Sequence, residues 1–443
     1  MGRLFGTDGI RGVANADLTP ALALALARAT VHRLLPGGGA LLVGQDTRRS
    51  GDMFRAAIVA GATSMGADVH RAGTLPTPAL AFICGAAGFE AAVMISASHN
   101  PANDNGLKVL DERGQKLDDA VEDELEAIME RSEDLRGPTN AGLGREVEAR
   151  ELLGRYREHR VALARSIRSP LAIVVDCANG SAGVVAPEIL AATGASVTVC
   201  FNDPDGSNIN LGCGATAPEA LARRVAELGA DAGFALDGDG DRCVAVDERG
   251  QIVDGDQLMG LIALDRLGRG ALAGETLVVN VLSNGGLAAA VESAGGRIVR
   301  APVGDKYVLD AMLASGAGVG GEKSGHVIVR EHGTSGDGIV TALEVLGILA
   351  RRAEPLSRLA AQVPLFPQQQ RTVHVRRKEE WQADRPLADA VHEVEAELGR
   401  AGRVLVRPSG TESALRIMIE GRDPVRVDAL VDRLATLAAE RLN

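Results

Sequence analysis

Ala91-Ala92-Val93-Met94-Ile95-Ser96-Ala97-Ser98-His99-Asn100-Pro101 opens as an unbroken apolar run and stops on a polar Asn-Pro turn. A short run without alternating polar positions is the pattern of a strand covered on both faces, as in a largely parallel sheet flanked by helices. The same pattern returns at Ala40–Val43, Leu171–Val175, Ser196–Cys200, Thr276–Val281 and Gly296–Arg300, with Ala- and Leu-rich helical stretches between the runs. Each run leads into a polar or glycine-rich loop, the place where α/β folds bind ligands. The spacing therefore predicts an α/β fold. At roughly 100–200 residues per domain, 443 residues correspond to about three or four domains.

Three breaks divide the chain. Charged residues 115–168 predict a closing helix at Asp118–Arg131 and a connector helix at Glu146–Arg165, ending near Ser166–Pro170. Asp247–Gly255 predicts a polar turn, and residues 364–370, with Pro364, Pro367 and three glutamines, predict a linker. Beyond it the chain reads as strands, a polar loop, a strand (Arg403–Val406) and a final amphipathic helix from about Asp423. The expected divisions are 1–150, 151–254, 255–366 and 367–443.

Hydrophobic residues make up 46% of the chain and aromatics only 2%, so the cores are expected to be built from Ala, Val, Leu and Ile. The formal net charge of -12 argues against binding nucleic acid or an anionic membrane, both of which need a basic face. It does not exclude an anionic substrate held by a few cations in a cleft. The five cysteines, Cys84, Cys177, Cys200, Cys213 and Cys243, form no C-x-x-C pair, which predicts reduced thiols in a cytoplasmic protein. No basic-then-apolar leader and no span-length apolar run is read in the sequence.

Five polar segments carry the chemistry. Ser98 follows the quoted strand in a tight turn, with His99 beside it and Lys108 ten residues on. It is either a nucleophile near a base or a capping serine. In Leu236-Asp237-Gly238-Asp239-Gly240-Asp241-Arg242 three carboxylates alternate with glycines. They can converge as hard oxygen ligands for Mg²⁺, and Arg242 beside them suits a phosphate; the alternative is a solvated acidic turn. Gly320-Gly321-Glu322-Lys323-Ser324-Gly325-His326 offers a carboxylate and a hydroxyl for a sugar, and an imidazole for proton shuttling, or is a structural turn. Arg407-Pro408-Ser409-Gly410-Thr411-Glu412 reads as an anion nest or an ordinary Pro-Gly turn. Phe5–Gly12 presents Arg11 in a glycine-rich loop. A serine, a metal loop, a sugar loop and a phosphate nest together point to phosphoryl transfer on a phosphosugar.

These motifs resemble the α-D-phosphohexomutase family, in the family's order and across almost the whole chain. The resemblance implies four domains, three α/β with mixed sheets and a smaller α+β domain at the C-terminus. It implies an isomerase that works as an intramolecular phosphotransferase. Phospho-Ser98 would give its phosphate to the substrate, forming a sugar 1,6-bisphosphate that turns over and returns the other phosphate. Asp237, Asp239, Asp241 and the Ser98 phosphate would bind Mg²⁺. Lys108, His99, Arg11 and Arg242 would surround the transfer, with Lys108 a candidate acid/base, Glu322 and Ser324 would hold sugar hydroxyls, and Arg407, Ser409, Gly410 and Thr411 would clamp the distal phosphate; His326 is the candidate proton shuttle of its own loop. Phe5–Gly12, Pro204–Asn210 with Cys213-Gly214 after it, Val303–Val308 and Thr334–Gly338 are similar to the branch that interconverts glucosamine 6-phosphate and glucosamine 1-phosphate through glucosamine 1,6-bisphosphate, on the route to UDP-N-acetylglucosamine. Lys323 and Lys306 stand where that branch usually has Gln and Arg, in the segment expected to read the sugar. The expected enzyme is a monomer or homodimer. The alternatives are a relative acting on glucose or mannose phosphates, or a metal-dependent phosphatase using Ser98.

Overall fold

A computed structural model of the chain describes residues 3–399, 402–409 and 413–443. Its first sheet contains β1 (Ile10–Val13), β2 (Gly39–Gln45), β3 (Ala67–Thr74), β4 (Ala91–Ile95), β5 (Asp104–Asp111) and β6 (Glu146–Glu148), in the order β1-β5-β4-β2-β3-β6. The second contains β7 (Ala172–Asp176), β8 (Ser196–Cys200), β9 (Ala232–Leu236), β10 (Cys243–Asp247) and β11 (Ile252–Val253), in the order β11-β10-β9-β7-β8. The third contains β12 (Thr276–Asn280), β13 (Arg297–Ala301), β14 (Val319–Gly321) and β15 (Val327–Val329), in the order β13-β12-β14-β15. The fourth is an antiparallel sheet of β16 (Gln368–His374), β17 (Gly402–Pro408) and β18 (Ala414–Gly421), in the order β16-β18-β17.

The first three sheets share a plan that places the chemistry. In each, a buried parallel strand turns back through an antiparallel neighbour: β4 into β5, β9 into β10 and β14 into β15. The connections are residues 96–103, 237–242 and 322–326, and these are the Ser98, aspartate and Glu322–His326 loops. β4 and β9 are buried at every position, so they can serve as rigid supports for polar groups at their ends.

By compactness the chain forms two units. Met1–Leu282 with Gly295–Gln362 carries the three larger sheets, and Ser283–Ala294 with Val363–Asn443 carries the fourth. Their interiors follow the composition. The first sheet packs its core from Leu26, Leu41, Val43, Ile58 and Val93, with Phe54 among them. The second unit packs Leu415, Ile417 and Ile419 against Leu430, Val431 and Leu434.

The expected strands appear within a residue or two of their predicted limits, but three expectations are corrected. Glu146–Arg165 is not one helix. Glu146–Glu148 forms β6, parallel to β3, where Arg71 pairs with Glu148 and Arg55 with Glu146, and the helix begins at Leu153. An edge strand can carry charge on its open side, so the charged sequence hid it. The Asp247–Gly255 segment is more than a turn, because Ile252–Val253 adds β11 and Asp254 caps the helix Gly255–Gly268. The glutamines of the expected linker already belong to β16, Gln368 lying opposite Glu420. The helix Arg385–Leu398 was not anticipated; it buries Leu387, Ala390, Val391 and Val394 along one stripe behind an Asp384 cap. Among the described residues no helix is long and apolar enough to cross a membrane.

Candidate active site

Ser98 is 1% exposed and sits in the left-handed region at φ 51°, a conformation that costs a non-glycine residue energy and persists only where its surroundings impose it. Its surroundings are specific. The Ser98 carbonyl accepts from Arg48 Nη2 at 3.1 Å and Asn210 Nδ2 at 2.8 Å. Its N–H donates to Ser96 Oγ at 2.9 Å, and Ser96 Oγ donates to Asp46 Oδ2 at 2.7 Å. Gly238 of the aspartate loop lies against the same carbonyl, and a Cβ there would be 2.5 Å from it. Only glycine lets the two loops meet.

Arg48 was missed by the sequence reading. Its side chain is fully buried in an ion pair with Asp46, 2.9 Å from Nε to Oδ2. It also donates to the carbonyls of Ser98, Asn100, Pro101 and Asp104. One guanidinium thus satisfies four carbonyls of the serine loop. Removing one partner of a buried pair typically costs about 3–5 kcal/mol. Arg48→Met is therefore expected to lower unfolding free energy by about that amount and to loosen the Ser98 loop. Denaturant melts check it; wild-type stability would contradict the role.

Ser98 Oγ donates to Asp237 Oδ2 at 2.6 Å. Asp237, Asp239 and Asp241 are all buried, and one oxygen of each lies within 4.8 Å of the others. Part of the loop's polar capacity is met within the protein. Asp239 Oδ2 accepts from Thr77 Oγ1 at 2.6 Å and Lys108 Nζ at 2.8 Å, and Asp237 Oδ1 accepts from the Arg242 N–H at 3.1 Å. Among the described residues, Asp239 Oδ1 and Asp241 Oδ1 are buried with no hydrogen-bond partner. Buried, unpaired carboxylate oxygens converging from three side chains fit a hard divalent cation, whose ligands are oxygens. Without one, burial first, then Asp241 and Asp239, push Asp237 up to about 8. The structure thus places Ser98 within hydrogen-bond reach of the aspartate loop.

Lys108 enters from β5, 3.1 Å from Asp8 Oδ2 and 3.8 Å from Asp241 Oδ2. His99 Nδ1 is 3.4 Å from Ser98 Oγ. Burial, then Arg242 and Arg11, lower His99 to about 4, so at neutral pH its ring is uncharged and able to accept a proton. Arg11, on β1, pairs with Asp8 and reaches Asn100 Oδ1 at 3.4 Å.

The third loop divides its residues between two tasks. Glu322 Oε1 accepts from Asn280 Nδ2 at 2.8 Å and the Gly304 N–H at 3.0 Å, which sets the carboxylate's direction. Among the described residues, Ser324 Oγ is buried without a hydrogen-bond partner. His326 turns inward, with Nδ1 3.5 Å from Asp241 Oδ2 and Nε2 3.3 Å from Asp305 Oδ2. Burial opposes a charge on this ring, but Asp241 and Asp305 raise its pKa above the ordinary value. The Gly336 N–H also approaches Nε2, at 2.9 Å. A Cβ on Gly336 would sit 2.5 Å from the ring, so part of the 334–338 motif serves His326. Asp337 of the same motif caps the helix Gly338–Arg352 and accepts from Tyr156 Oη and Arg160 Nε. Lys306 does not face the sugar loop: it pairs with Glu122 at 2.9 Å and with Asp119, tying the helix Asp305–Ser315 to the helix Asp119–Met129.

In the second unit, Arg407 of β17 lies opposite Arg416 of β18. Burial, then Arg416, lowers the Arg407 pKa, which is the electrostatic condition of a site for an anion. The Ser409 N–H donates to the Ala414 carbonyl at 2.8 Å. Gly410 and Thr411 lie outside the described residues.

The fold and this serine–carboxylate site define a phosphohexomutase. The chain matches the Phosphoglucomutase/phosphomannomutase family in four consecutive pieces: alpha/beta/alpha domain I over residues 2–136, domain II over 154–250, domain III over 254–366 and the C-terminal domain over 372–437. It belongs to that family, whose members are isomerases. It is 48% identical to a phosphoglucosamine mutase of Symbiobacterium thermophilum and 46% identical to one of Mycolicibacterium vanbaalenii, covering 100% of both chains in each case. Among solved structures it is similar to a phosphoglucomutase/phosphomannomutase family protein of Burkholderia thailandensis, at TM-score 0.83 and 26% identity over 100% of this chain and 98% of that one. An N-acetylphosphoglucosamine mutase of Aspergillus fumigatus, solved with GlcNAc-6P and magnesium, shares the fold at TM-score 0.71 and 19% identity, over 99% of this chain and 96% of that one.

Proposed function

We propose that the chain interconverts glucosamine 6-phosphate and glucosamine 1-phosphate through phospho-Ser98 and glucosamine 1,6-bisphosphate, as a cytoplasmic supplier of UDP-N-acetylglucosamine synthesis. The observation that carries this reading is the Ser98 hydroxyl 2.6 Å from Asp237, inside a buried carboxylate triad with two unpartnered oxygens. The full-length likeness to phosphoglucosamine mutases supports the amino-sugar substrate.

Asp237, Asp239, Asp241 and the phosphate on Ser98 would hold Mg²⁺. Bound there, Mg²⁺ neutralises charge on the transferring phosphoryl group. In the first half of the reaction the bond between phosphorus and Ser98 Oγ breaks as a bond to a sugar hydroxyl oxygen forms. The hydroxyl proton passes to uncharged His99, which lies 3.4 Å from Ser98 Oγ and returns a proton to that oxygen as it leaves phosphorus, while the Lys108 ammonium beside Asp239 offsets the moving charge. Asp237 then receives the hydrogen bond of the freed serine. In the second half the other phosphate of the bisphosphate returns to Ser98 by the reverse path. Arg11 and Arg242 offer positive charge near the transfer, and Glu322 and Ser324 hold sugar hydroxyls.

Arg407 and Ser409, with Gly410 and Thr411, hold the phosphate that is not reacting. A guanidinium suits this task because its fork can meet two phosphate oxygens at once. A charge-assisted hydrogen bond is worth about 1.5–3 kcal/mol. Arg407→Ala should accordingly raise KM by about 10-fold or more and make turnover depend on added glucosamine 1,6-bisphosphate. Steady-state assays with and without that bisphosphate test this; a normal KM with no such dependence places the distal phosphate elsewhere.

The function itself is tested by a coupled assay for glucosamine 1-phosphate from the 6-phosphate, run beside glucose and mannose phosphates. Preference for the amino sugar supports the reading. Faster turnover of glucose or mannose phosphates would replace it with a different hexose specificity. Release of inorganic phosphate without isomer would replace it with a phosphatase.

A further inference from the structure

Lys116 belongs to none of the motifs above, yet its ammonium lies between two carboxylates in a mostly enclosed setting, with the side chain 13% exposed. It pairs with Asp305 Oδ2 at 2.6 Å and with Asp8 Oδ1. Neither partner is idle. Asp8 Oδ2 is 3.1 Å from Lys108 Nζ, and Asp305 Oδ2 is 3.3 Å from His326 Nε2. Lys108 and His326 in turn both approach Asp241 Oδ2, at 3.8 Å and 3.5 Å. The contacts close on themselves. Asp8, Lys108, Asp241, His326, Asp305 and Lys116 form a ring in which carboxylates alternate with nitrogen groups. It joins the β1 and β5 region, the aspartate loop and the Asp305–His326 region. Five of the six belong to segments singled out for chemistry or substrate recognition; Lys116 is the one with no such assignment.

We propose that Lys116 is a positioning residue for phosphoryl transfer, which neutralises Asp8 and Asp305 and through them aims Lys108 and His326 at the reaction centre. This rests on the phosphomutase reading above. Among the described residues Lys116 pairs with Asp8 and Asp305 and not with Ser98 or the aspartate loop, so those two carboxylates are its direct partners, although its charge also reaches Asp241, Lys108 and His326 across the ring. Two negative groups in a space of low dielectric repel each other strongly unless a cation lies between them. Without that cation, Asp8 would draw Lys108 toward itself and Asp305 would draw His326, each away from Asp241.

The test uses full-length enzyme with Lys116→Met, Asp305→Asn and the double variant. Outer partners of this kind typically contribute about 10–100-fold to activity. Lys116→Met should lower kcat by that factor while KM stays within about 3-fold, because the group orients reacting residues and does not hold substrate. The double variant removes one charge of each sign, so it should be no worse than the poorer single variant. Substitutions that share a network are non-additive in this way, while independent ones multiply. A kcat near wild type for Lys116→Met, a loss confined to KM, or losses that multiply would each overturn the proposal. Urea melts of the same three proteins read the coupling without any substrate. Non-additive stabilities support the ring, and additive ones overturn it, even if the wild-type enzyme proves to act on another sugar. Should Lys116→Met fail to fold, recovery of folding in the charge-balanced double variant supports the ring, and continued failure overturns it.

Discussion

Ser98→Ala is expected to abolish isomerisation while leaving the fold intact. The side chain contributes one oxygen, and among the described residues that oxygen meets Asp237 at 2.6 Å and His99 at 3.4 Å. The loop's shape depends on main-chain groups: the Ser98 carbonyl held by Arg48 and Asn210, and the Ser98 N–H held by Ser96. Alanine keeps all of these and meets the same strain at φ 51°. The lost oxygen is the one that forms and breaks the bond to phosphorus, so no other group in the loop can replace it. Turnover should fall by about 10³-fold or more, as for other enzymes deprived of their covalent nucleophile. Intact-mass and peptide spectrometry should find one phosphoryl group on Ser98 in active wild-type protein and none in the variant. Full activity of Ser98→Ala would sink the assignment. A slow residual rate with added bisphosphate would not, because it bypasses the serine.

The second large effect is expected from Asp239→Ala. Removing one of three metal carboxylates should cost about 10²-fold or more in turnover, the scale of losing one electrostatic stabiliser. Stability without metal should change little. The variant loses the Thr77 and Lys108 hydrogen bonds, but Lys108 keeps Asp8 and Asp241, and the repulsion among buried carboxylates falls. The pH dependence separates these contributions. Asp237 stands at about 8 when folded and near the ordinary carboxylate value of about 3.9 when unfolded. The folded state therefore binds more protons in between, and the metal-free protein should lose stability as pH rises from about 4 toward 8. Asp239→Ala removes one cause of that raised value, so its metal-free stability should fall less steeply over the same interval. Thermal melts across that range, with and without Mg²⁺, read the slopes. A metal-free Tm that collapses in Asp239→Ala while activity stays high would contradict the role of the triad.

Much of this protein is readable from local sequence because its chemistry is carried by contiguous loops at strand ends. Asp237, Asp239 and Asp241 announce themselves by spacing alone, since repelling charges at alternate positions require a reason. Ser98 stands out by following a fully apolar strand. The strands β4 and β12 are legible because a strand buried at every position leaves no polar position to blur it.

The tertiary structure decided what lies far apart in the chain. Arg48 acts on carbonyls some 50 residues away, and its role exists only once burial has removed water as a competitor. Thr77 reaches Asp239 across 162 residues, and nothing around Thr77 marks it. The charged strand β6 read as helix because charge on an open sheet edge and charge on an exposed helix face look alike in one dimension. Lys306, read beside the sugar loop, pairs instead with Asp119 and Glu122. The sequence by itself determined which groups the chain possesses and at which strand ends they emerge. Which cation neutralises which carboxylate was decided by the folding of three sheets toward one another, because electrostatic pairing depends on distance and burial, and neither is a property of sequence separation.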